Sequence, residues 1–569
     1  MLVLPFLAPF HAPPIASFHP EAIAALFGLL AVSVLPLFAT RLEMPRIALL
    51  PLAFAGLIMV QLVQGKLVFH QVGLLATLYL LWATALICLA GLLKRELGLE
   101  RVVATLAWFV LVGALLSALV AWAQDIDSSA LGALIMPRAP VRVWANLGQS
   151  NQLADYLALG LAAAAFLYAT GRMKLRWAVP ALIALTYILA LTGSRASWVY
   201  LIGLTAVSAA FVLFERSRCN RRLLAFSACA LVALPVLPWL VGLLPIDMTV
   251  SATASSRLDP SVLAAEERPR IWKAAWMMFE QAPVFGVGLR QFAWQHFVLN
   301  EQFPAPRVVG LTDHAHNLPL HVLAELGVVG LILLTGSAFL WVKGLLCQPR
   351  TAAHWWLWAC ALVLTVHSML EYPLWYTFFL GTAALVLGMG DAHTIKLSLF
   401  RQRSGRWLLL ALLGVGWLVL GQLFRDYRVL EDFLAFRYKY MHATPEVKRQ
   451  GDDLLREIRR TSVLAPYVWF GVSRAIEVNS DRLGDKLTVN TRAMRLFPTD
   501  DMVYREAMLL GLHGDDAQAR RQWDLAAASF PEEEERAQRV VQRRVDDGVG
   551  ALAPLLEYAN SRTTKQAQQ

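Results

Sequence analysis

Asp313-His314-Ala-His316-Asn317-Leu-Pro-Leu-His321-Val-Leu-Ala-Glu325-Leu-Gly327-Val-Val-Gly330 is the stretch on which the reading of this chain turns. Five polar, histidine-rich residues give way to an apolar run over 317–346. That run is long enough to cross a bilayer as a helix. The chain therefore passes here from a long hydrophilic loop into a membrane, and His316 stands at the entry. A titratable imidazole at a membrane surface, at the mouth of a helix, is a candidate site.

Working outward, the same pattern recurs. Of the 569 residues, 57% are hydrophobic and 16% are charged. Soluble domains carry about 25% charged residues. Apolar runs of spanning length fall at 21–39, 45–63, 71–93, 101–122, 151–171, 177–193, 197–214, 223–245, 317–346, 355–371, 373–391 and 406–424. The expected fold is all-α: a polytopic helical membrane protein of about 12 spans. The division of 355–391 rests only on Glu371-Tyr372-Pro373. The expected organisation is 1–245 and 317–424 as transmembrane helices, 246–316 as a large outward loop and 425–569 as a soluble helical tail.

Basic residues set the orientation. With the loop near 39–45 on the cytoplasmic side, the loops on that side hold eighteen Lys and Arg residues, and the opposite short loops hold Lys66, Arg138, Arg142 and Arg195. This bias puts both termini, the 246–316 loop and the tail on the outward side of the membrane. The net charge of +10 is then a topology signal and gives no reason to expect a nucleic-acid partner. Cys88, Cys219, Cys229, Cys347 and Cys360 lie in or near spans, so no disulfide framework is expected. Residues 1–19 lack a basic n-region, so a cleaved signal peptide is not expected.

The outward loops collect the chemistry. Asn146-Leu-Gly-Gln149-Ser-Asn151-Gln152 leads into the fifth span. Its amides suit sugar hydroxyls, since they donate and accept at once; a helix cap is the plainer reading. Asp155 follows within the helix, where an acid near the N-terminus is favoured by the dipole. Arg195 sits in the very short Thr192–Trp198 hairpin, either snorkelling or held for an anionic ligand. The large loop opens on 251–256, expected to be flexible. It continues into an amphipathic helix with Trp272, Trp276 and Phe279 on one face, suited to a membrane interface. Arg268, Arg270 and Lys273 on this helix could cradle a diphosphate or bind lipid headgroups. His316 reads as a general base or as a cap residue. The Asp313/His314/His316 cluster lacks the further ligands of a recognisable metal set, so no metal is expected. Glu371 and Tyr372 mark a further outward turn, part aromatic belt and part acid.

In the tail, residues 425–440 read as an amphipathic helix. Residues 490–531 resemble a tetratricopeptide unit, with Phe497-Pro498 and Phe530-Pro531 one 33-residue period apart. Residues 452–475 suggest an earlier, degenerate hairpin, and the last ten residues look disordered.

His316-Asn317, nine residues, then Gly327-x-x-Gly330 resembles the signature of the bacterial O-antigen ligase and polymerase superfamily. Ser194-Arg195 and Arg268-x-Arg270 also look like its members. The amide motif, Glu371-Tyr372-Pro373 and the outward helical tail resemble one branch, the protein O-oligosaccharyltransferases that glycosylate pilins. The resemblance implies transfer of a glycan from a membrane lipid-linked donor, undecaprenyl diphosphate, to Ser or Thr hydroxyls of an acceptor protein such as pilin, with inversion and without cofactor or metal. It implies His316 as general base, Arg195 and Arg270 on the leaving diphosphate with Arg268 and Lys273, and Gln149, Asn151, Gln152, Glu371 and Tyr372 toward glycan or acceptor. An O-antigen ligase or polymerase with a saccharide acceptor is the nearest rival. A lipid-linked oligosaccharide flippase is a more distant one, because the polar motifs gather on one side rather than along a path through the membrane.

Overall fold

The computed structural model describes the chain except residues 12, 127–131, 133, 138–141, 244–252, 256, 258–266, 304–307, 397–402, 436–444 and 568–569. Among the described residues ten helices are long and apolar enough to cross a membrane: Phe18–Phe38, Arg46–Val63, His70–Leu97, Leu99–Asp125, Ser150–Ala169, Ala196–Phe214, Arg218–Val241, Leu318–Leu346, Ala352–Leu370 and Ser404–Phe433. The runs expected at 177–193 and 373–391 are shorter apolar helices, Leu175–Leu191 and Thr377–Gly390. The second spans only about 21 Å at 1.5 Å per residue, because Pro373–Trp375 forms a 3-10 turn that uses up its start. The protein is a polytopic, helical membrane protein.

Two compact units make up the chain. The first comprises Met1–Ala55, Leu78–Glu266 and Ile332–Gly421. Its centre is Ser150–Ala169, whose side chains are almost all buried. The reason is composition: L-A-L-G-L-A-A-A-A is narrow, and Gly160 lets Ala114 approach so closely that a Cβ would sit 2.4 Å from it. Small residues allow such packing where no hydrophobic effect drives helices together. Around it pack Leu99–Asp125, Leu175–Leu191, Arg218–Val241 and Ala352–Leu370.

Polar loops of this unit gather in two places. Glu43–Pro45 pairs antiparallel with Thr394–Lys396, the Ile47 N–H donates to Asp391 Oδ2 at 2.6 Å, and Lys94 Nζ donates to the Asp391 carbonyl at 3.0 Å. All of these belong to loops assigned above to one side of the membrane. The loops assigned to the other side join through Asn151 Nδ2, which donates to Glu371 Oε1 at 2.7 Å, and through Val143 and Ala254, whose N–H groups reach the Leu191 and Ala190 carbonyls. Thr377–Gly390, though only 14 residues long, runs between the two clusters.

The second unit comprises Gly56–Thr77, Glu267–Leu331 and Gln422–Gln569. Here the large loop and the tail share one hydrophobic core. Phe297, from the loop helix Phe292–Leu299, is buried among Met502, Tyr504, Trp523 and Val541, and Trp294 and Val298 pack against the same cluster. Asn300 Nδ2 donates to the Ala528 carbonyl and to Ser529 Oγ, both at 3.1 Å. The tail is a run of helices. Asp500–Leu512 and Asp516–Ser529 form a hairpin turning at Gly514 (φ 85°), with Tyr504 and Trp523 edge to face at 5.0 Å. Pro445–Thr461 and Ala465–Ser473 make the earlier helical pair.

Three expectations change. The amphipathic helix expected at 425–440 is the end of one long helix, Arg403–Ala435; 436–440 lie outside the described residues. Of the last ten residues, 568 and 569 lie outside the described residues, and 560–567 belong to the helix Ala553–Ala567, which Arg562 ties to Asp524 at 2.6 Å and Glu534 at 3.0 Å. In the stretch expected to be flexible, 251, 252 and 256 lie outside the described residues, while the Ala254 N–H donates to the Ala190 carbonyl at 2.9 Å.

Candidate functional site

The His321–Gly330 segment does not continue as a regular helix. Gly327 takes φ 69° and ψ −168° within Leu318–Leu346. Breaking a helix strands backbone groups, and inside a membrane these must find partners within the protein. They find them in 283–289. The N–H groups of Val287 and Gly288 donate to the Ala324 and Glu325 carbonyls at 3.0 and 3.1 Å, and those of Val328 and Val329 donate to the Pro283 and Val284 carbonyls at 2.8 and 3.3 Å. Such proximity requires glycine on both sides. A Cβ on Gly327 would lie 2.3 Å from the Val284 oxygen, and one on Gly286 2.2 Å from the Glu325 carbonyl carbon.

Side chains lock this clasp. Buried Gln61 donates to the Phe285 carbonyl at 2.6 Å and the Glu325 carbonyl at 2.8 Å, and accepts from the Leu289 N–H at 3.1 Å. Lys66 Nζ donates to the Gly286 carbonyl at 2.7 Å. The Glu325 carboxylate, 1% exposed, accepts the N–H groups of Arg290 and Phe292 at 2.8 and 3.0 Å. His321 Nδ1 accepts the Ala315 N–H at 3.3 Å. Its proton is therefore on Nε2, which faces Glu325 Oε2 at 3.4 Å.

His316 stands just outside this clasp on a fixed stretch of backbone. Ala315 before it is held at both ends, its N–H by His321 and its carbonyl by Trp272 Nε1 at 3.0 Å. Asn317 after it caps the helix: its Oδ1 accepts the Leu320 N–H at 3.1 Å. The cap role weighed above for His316 thus falls to Asn317. His316 itself takes φ 47°, a left-handed conformation that costs free energy for a residue with a Cβ and persists where the surroundings over-determine it. Behind it, the His314 and His321 rings stack at 5.0 Å, although the two side chains begin on different faces. Asp313 Oδ1 lies 2.8 Å from His314 Nδ1. Burial lowers the His314 pKa to about 4, against the opposing pull of Asp313. Asp313 is pushed up by burial, but His314, Arg290 and His321 bring it below the usual carboxylate range. The pair is therefore carboxylate and neutral imidazole at neutral pH.

Arg268, Arg270 and Lys273 lie on the helix Arg268–Gln281 in the same unit. Its buried stripe is Ile271, Ala274, Ala275 and Met278. At 3.6 residues per turn, Arg270 borders one edge of this stripe and Arg268 the other, while Lys273 lies on the exposed side of the helix. Trp272 and Trp276 are exposed, on the face shared with Phe279.

The remaining expected residues belong to the first unit. Gln149 and Asn151 both reach the buried Glu371, through Nε2 at 3.4 Å and Nδ2 at 2.7 Å. Two of the amides thus hold an acid brought from 220 residues away. Asn146 is scaffold, donating to the Leu7 and Leu134 carbonyls. Gln152 is buried on Ser150–Ala169. Tyr372 stacks on Tyr376 at 5.9 Å. Arg195, partly buried, follows the Thr192–Ser194 turn. Asp155 is not the dipole-stabilised acid expected, since the first turn of its helix holds no acid. It is fully buried and lies 3.2 Å from His367 Nδ1.

The structure therefore gathers His316, Arg268, Arg270 and Lys273 in one unit and Arg195, Gln149, Asn151, Gln152, Glu371 and Tyr372 in the other. Sequence reasoning missed Gln61, Lys66, Arg290 and His367. The one signal was the pairing of Gly286 and Gly288 with Gly327, glycines in two separate stretches.

Comparison with known proteins follows the same lines. Residues 180–335 match the O-Antigen ligase family, 355–545 the family described as virulence factor membrane-bound polymerase, C-terminal, and 143–168 the protein glycosylation ligase family. The chain is 27% identical over 413 residues to a general O-oligosaccharyltransferase of Acinetobacter baylyi, covering 69% of each chain. It is 24% identical over 414 residues to a ComP-specific O-oligosaccharyltransferase of the same organism, covering 71% of this chain and 72% of that one. The His316-Asn317 and Gly327-x-x-Gly330 elements fall within the O-Antigen ligase match. The chain is thus similar to the O-Antigen ligase family and to O-oligosaccharyltransferases, and is a glycosyltransferase-type membrane enzyme.

Proposed function

We propose that this enzyme transfers a glycan from undecaprenyl diphosphate to Ser or Thr hydroxyls of exported proteins such as pilins, on the periplasmic side of a bacterial inner membrane. The observation that carries the reading is His316, set on a left-handed turn between two residues whose backbone is fixed, directly before a membrane helix. The family matches and the names of the two relatives support the glycan-transfer class.

In this reading His316 takes the proton of the acceptor hydroxyl as that oxygen attacks the anomeric carbon. The bond from that carbon to the diphosphate oxygen breaks, and the diphosphate leaves on the carrier. One displacement inverts the anomeric configuration. Arg195 and Arg270 offset the charge that grows on the leaving oxygen, with Arg268 and Lys273 as further diphosphate contacts. Gln149, Asn151, Gln152, Glu371 and Tyr372 meet glycan or acceptor. The helical hairpins of the tail, with their tetratricopeptide-like spacing, recruit the acceptor protein.

The test is purified enzyme, a lipid-linked glycan and a pilin, followed by intact-mass analysis of the pilin. The expected result is a mass increase of one glycan with wild type, and the same increase slower by roughly two to four orders of magnitude with His316→Ala. An unchanged pilin, beside elongation of an added saccharide acceptor, overturns the protein-acceptor reading.

A further inference from the structure

Two polar rungs join the helices Ser150–Ala169 and Ala352–Leu370, which pack against each other in the first unit. The upper rung is Glu371, the residue that ends the second helix, which accepts Asn151 Nδ2 at 2.7 Å and Gln149 Nε2 at 3.4 Å. The lower rung is Asp155 Oδ2 and His367 Nδ1, 3.2 Å apart. Asp155 is four residues beyond Asn151, and His367 four before Glu371. Each step therefore stays on one face of its helix. Pairing 151 with 371 and 155 with 367 means that the helices run antiparallel. At 1.5 Å per residue the lower rung lies about 6 Å beneath the upper one. The Glu371 N–H donates to the His367 carbonyl at 2.8 Å, which ties the rungs along the second helix as well.

An acid and a histidine in this place need a reason. Asp155 is the one charged residue of its helix, and it and His367 are 0% and 1% exposed. Among the described residues neither side chain has another hydrogen-bonding partner; the imidazole otherwise meets the Phe379 ring, edge to face at 5.5 Å. Ionisable groups inside a membrane are expensive and point to function by default. Stability is a weak explanation, because a well-packed apolar pair commonly holds as well as a buried ionic one. Fixing a register is the best-attested use of such groups. From Leu157 to Ala165 the helix presents only Leu, Gly and Ala. So smooth a surface packs closely but offers shallow ridges to stop one helix sliding along another. A directional contact one turn below Glu371 supplies the stop. A slip of one turn, about 5.4 Å, would carry the carboxylate out of reach of both amides.

We infer that Asp155 and His367 are positioning residues: the pair sets the register in which Glu371 meets Gln149 and Asn151, and so shapes the place where glycan or acceptor binds. This rests on the role proposed above for Glu371 and adds two residues that act through it.

The experiment uses the full-length enzyme in detergent with lipid-linked glycan and pilin, and measures kcat and the KM of each substrate. Glu371→Gln should raise KM for one of the two. Asp155→Leu or His367→Leu alone strands a polar group in the membrane and can unfold the protein, which the double variant Asp155→Leu/His367→Leu avoids. The double variant is expected to fold, and to raise KM for the same substrate by roughly tenfold to a hundredfold, the range for a lost charged hydrogen bond, with kcat little changed. Added to Glu371→Gln it should raise KM no further, since residues that act as one unit are not additive. Asp155→Asn keeps a hydrogen-bonding group opposite His367 and should stay closer to wild type than the double variant. A folded double variant with wild-type KM values overturns the inference, as does a loss that adds in full to that of Glu371→Gln. A double variant that no longer folds makes the pair a stability element and overturns it too. Glu371→Gln with both KM values unchanged removes Glu371 from the proposed reaction, and the inference with it. Transfer to a saccharide instead of pilin overturns the protein-acceptor reading alone, since the same comparisons then run with that acceptor.

Discussion

His316 owes its position to its neighbours: Asn317 caps the helix and Ala315 is pinned by Trp272 and His321. Truncating the imidazole should therefore cost chemistry rather than fold. His316→Ala is expected to lower transfer by roughly two to four orders of magnitude, the range for a general base, while carrier affinity stays near wild type in a direct binding assay. Asn317→Ala should instead cost about 1 kcal/mol of stability, the usual loss of an N-cap, read as a lower unfolding midpoint. The buried histidines make a pH prediction. His314 and His296 are both lowered to about 4, chiefly by burial. The folded protein thus keeps them neutral where an unfolded chain, near 6.5, would protonate them. Stability is fully present above pH 6.5 and falls as pH drops toward 4, by about 3 kcal/mol for each histidine at one pKa unit per 1.36 kcal/mol. His314→Gln should flatten the midpoint between pH 6.5 and 4. An equally steep profile in that variant would contradict the assignment.

The broken Leu318–Leu346 helix is the element on which the His316 loop hangs. Its break is held by backbone pairing with 283–289 and by the Glu325 carboxylate, which collects two N–H groups and faces His321. Gly327→Ala and Gly286→Ala would each press a methyl group into backbone at a positive φ. A loss of about 3 kcal/mol or more is expected, in the range of strain at special backbone positions and overpacking, seen as a collapse in folded yield. Gly336→Ala, on the same helix with open space around it, should be harmless or slightly stabilising, since alanine favours helix over glycine. If all three behave alike, the clasp is not what holds the break.

At the scale of the molecule, the shared core of loop and tail alters how recruitment can be tested. Removing 440–560 would strip Trp523, Tyr504 and Val541 from around Phe297. The truncated chain should expose Trp294 and Phe297 and become protease-sensitive within 267–331. Intact resistance there would show that the loop stands alone. Recruitment by the tail is better probed with exposed substitutions on its helices that leave this core whole. Orientation is a separate matter. A C-terminal alkaline phosphatase fusion should be active and a green fluorescent fusion dark, and the reverse pattern would invert every outward assignment.

The apolar spans, the basic bias of alternate loops and the His316-Asn317 and Gly327-x-x-Gly330 spacing are legible in the chain alone. Crossing a membrane demands length and composition, which are local properties. The outline of helical hairpins in the tail was legible for the same reason, from a repeat of Phe-Pro pairs. What the tertiary structure decided are pairings between groups far apart in the chain. Gln61 and Glu325 meet across 264 residues, and Asn151 and Glu371 across 220. Phe297 is buried with Trp523, and Arg562 holds the last helix to Asp524 and Glu534. A lone Gln, Glu or Arg carries no sign of its partner in sequence, because only folding decides which buried polar group each must satisfy.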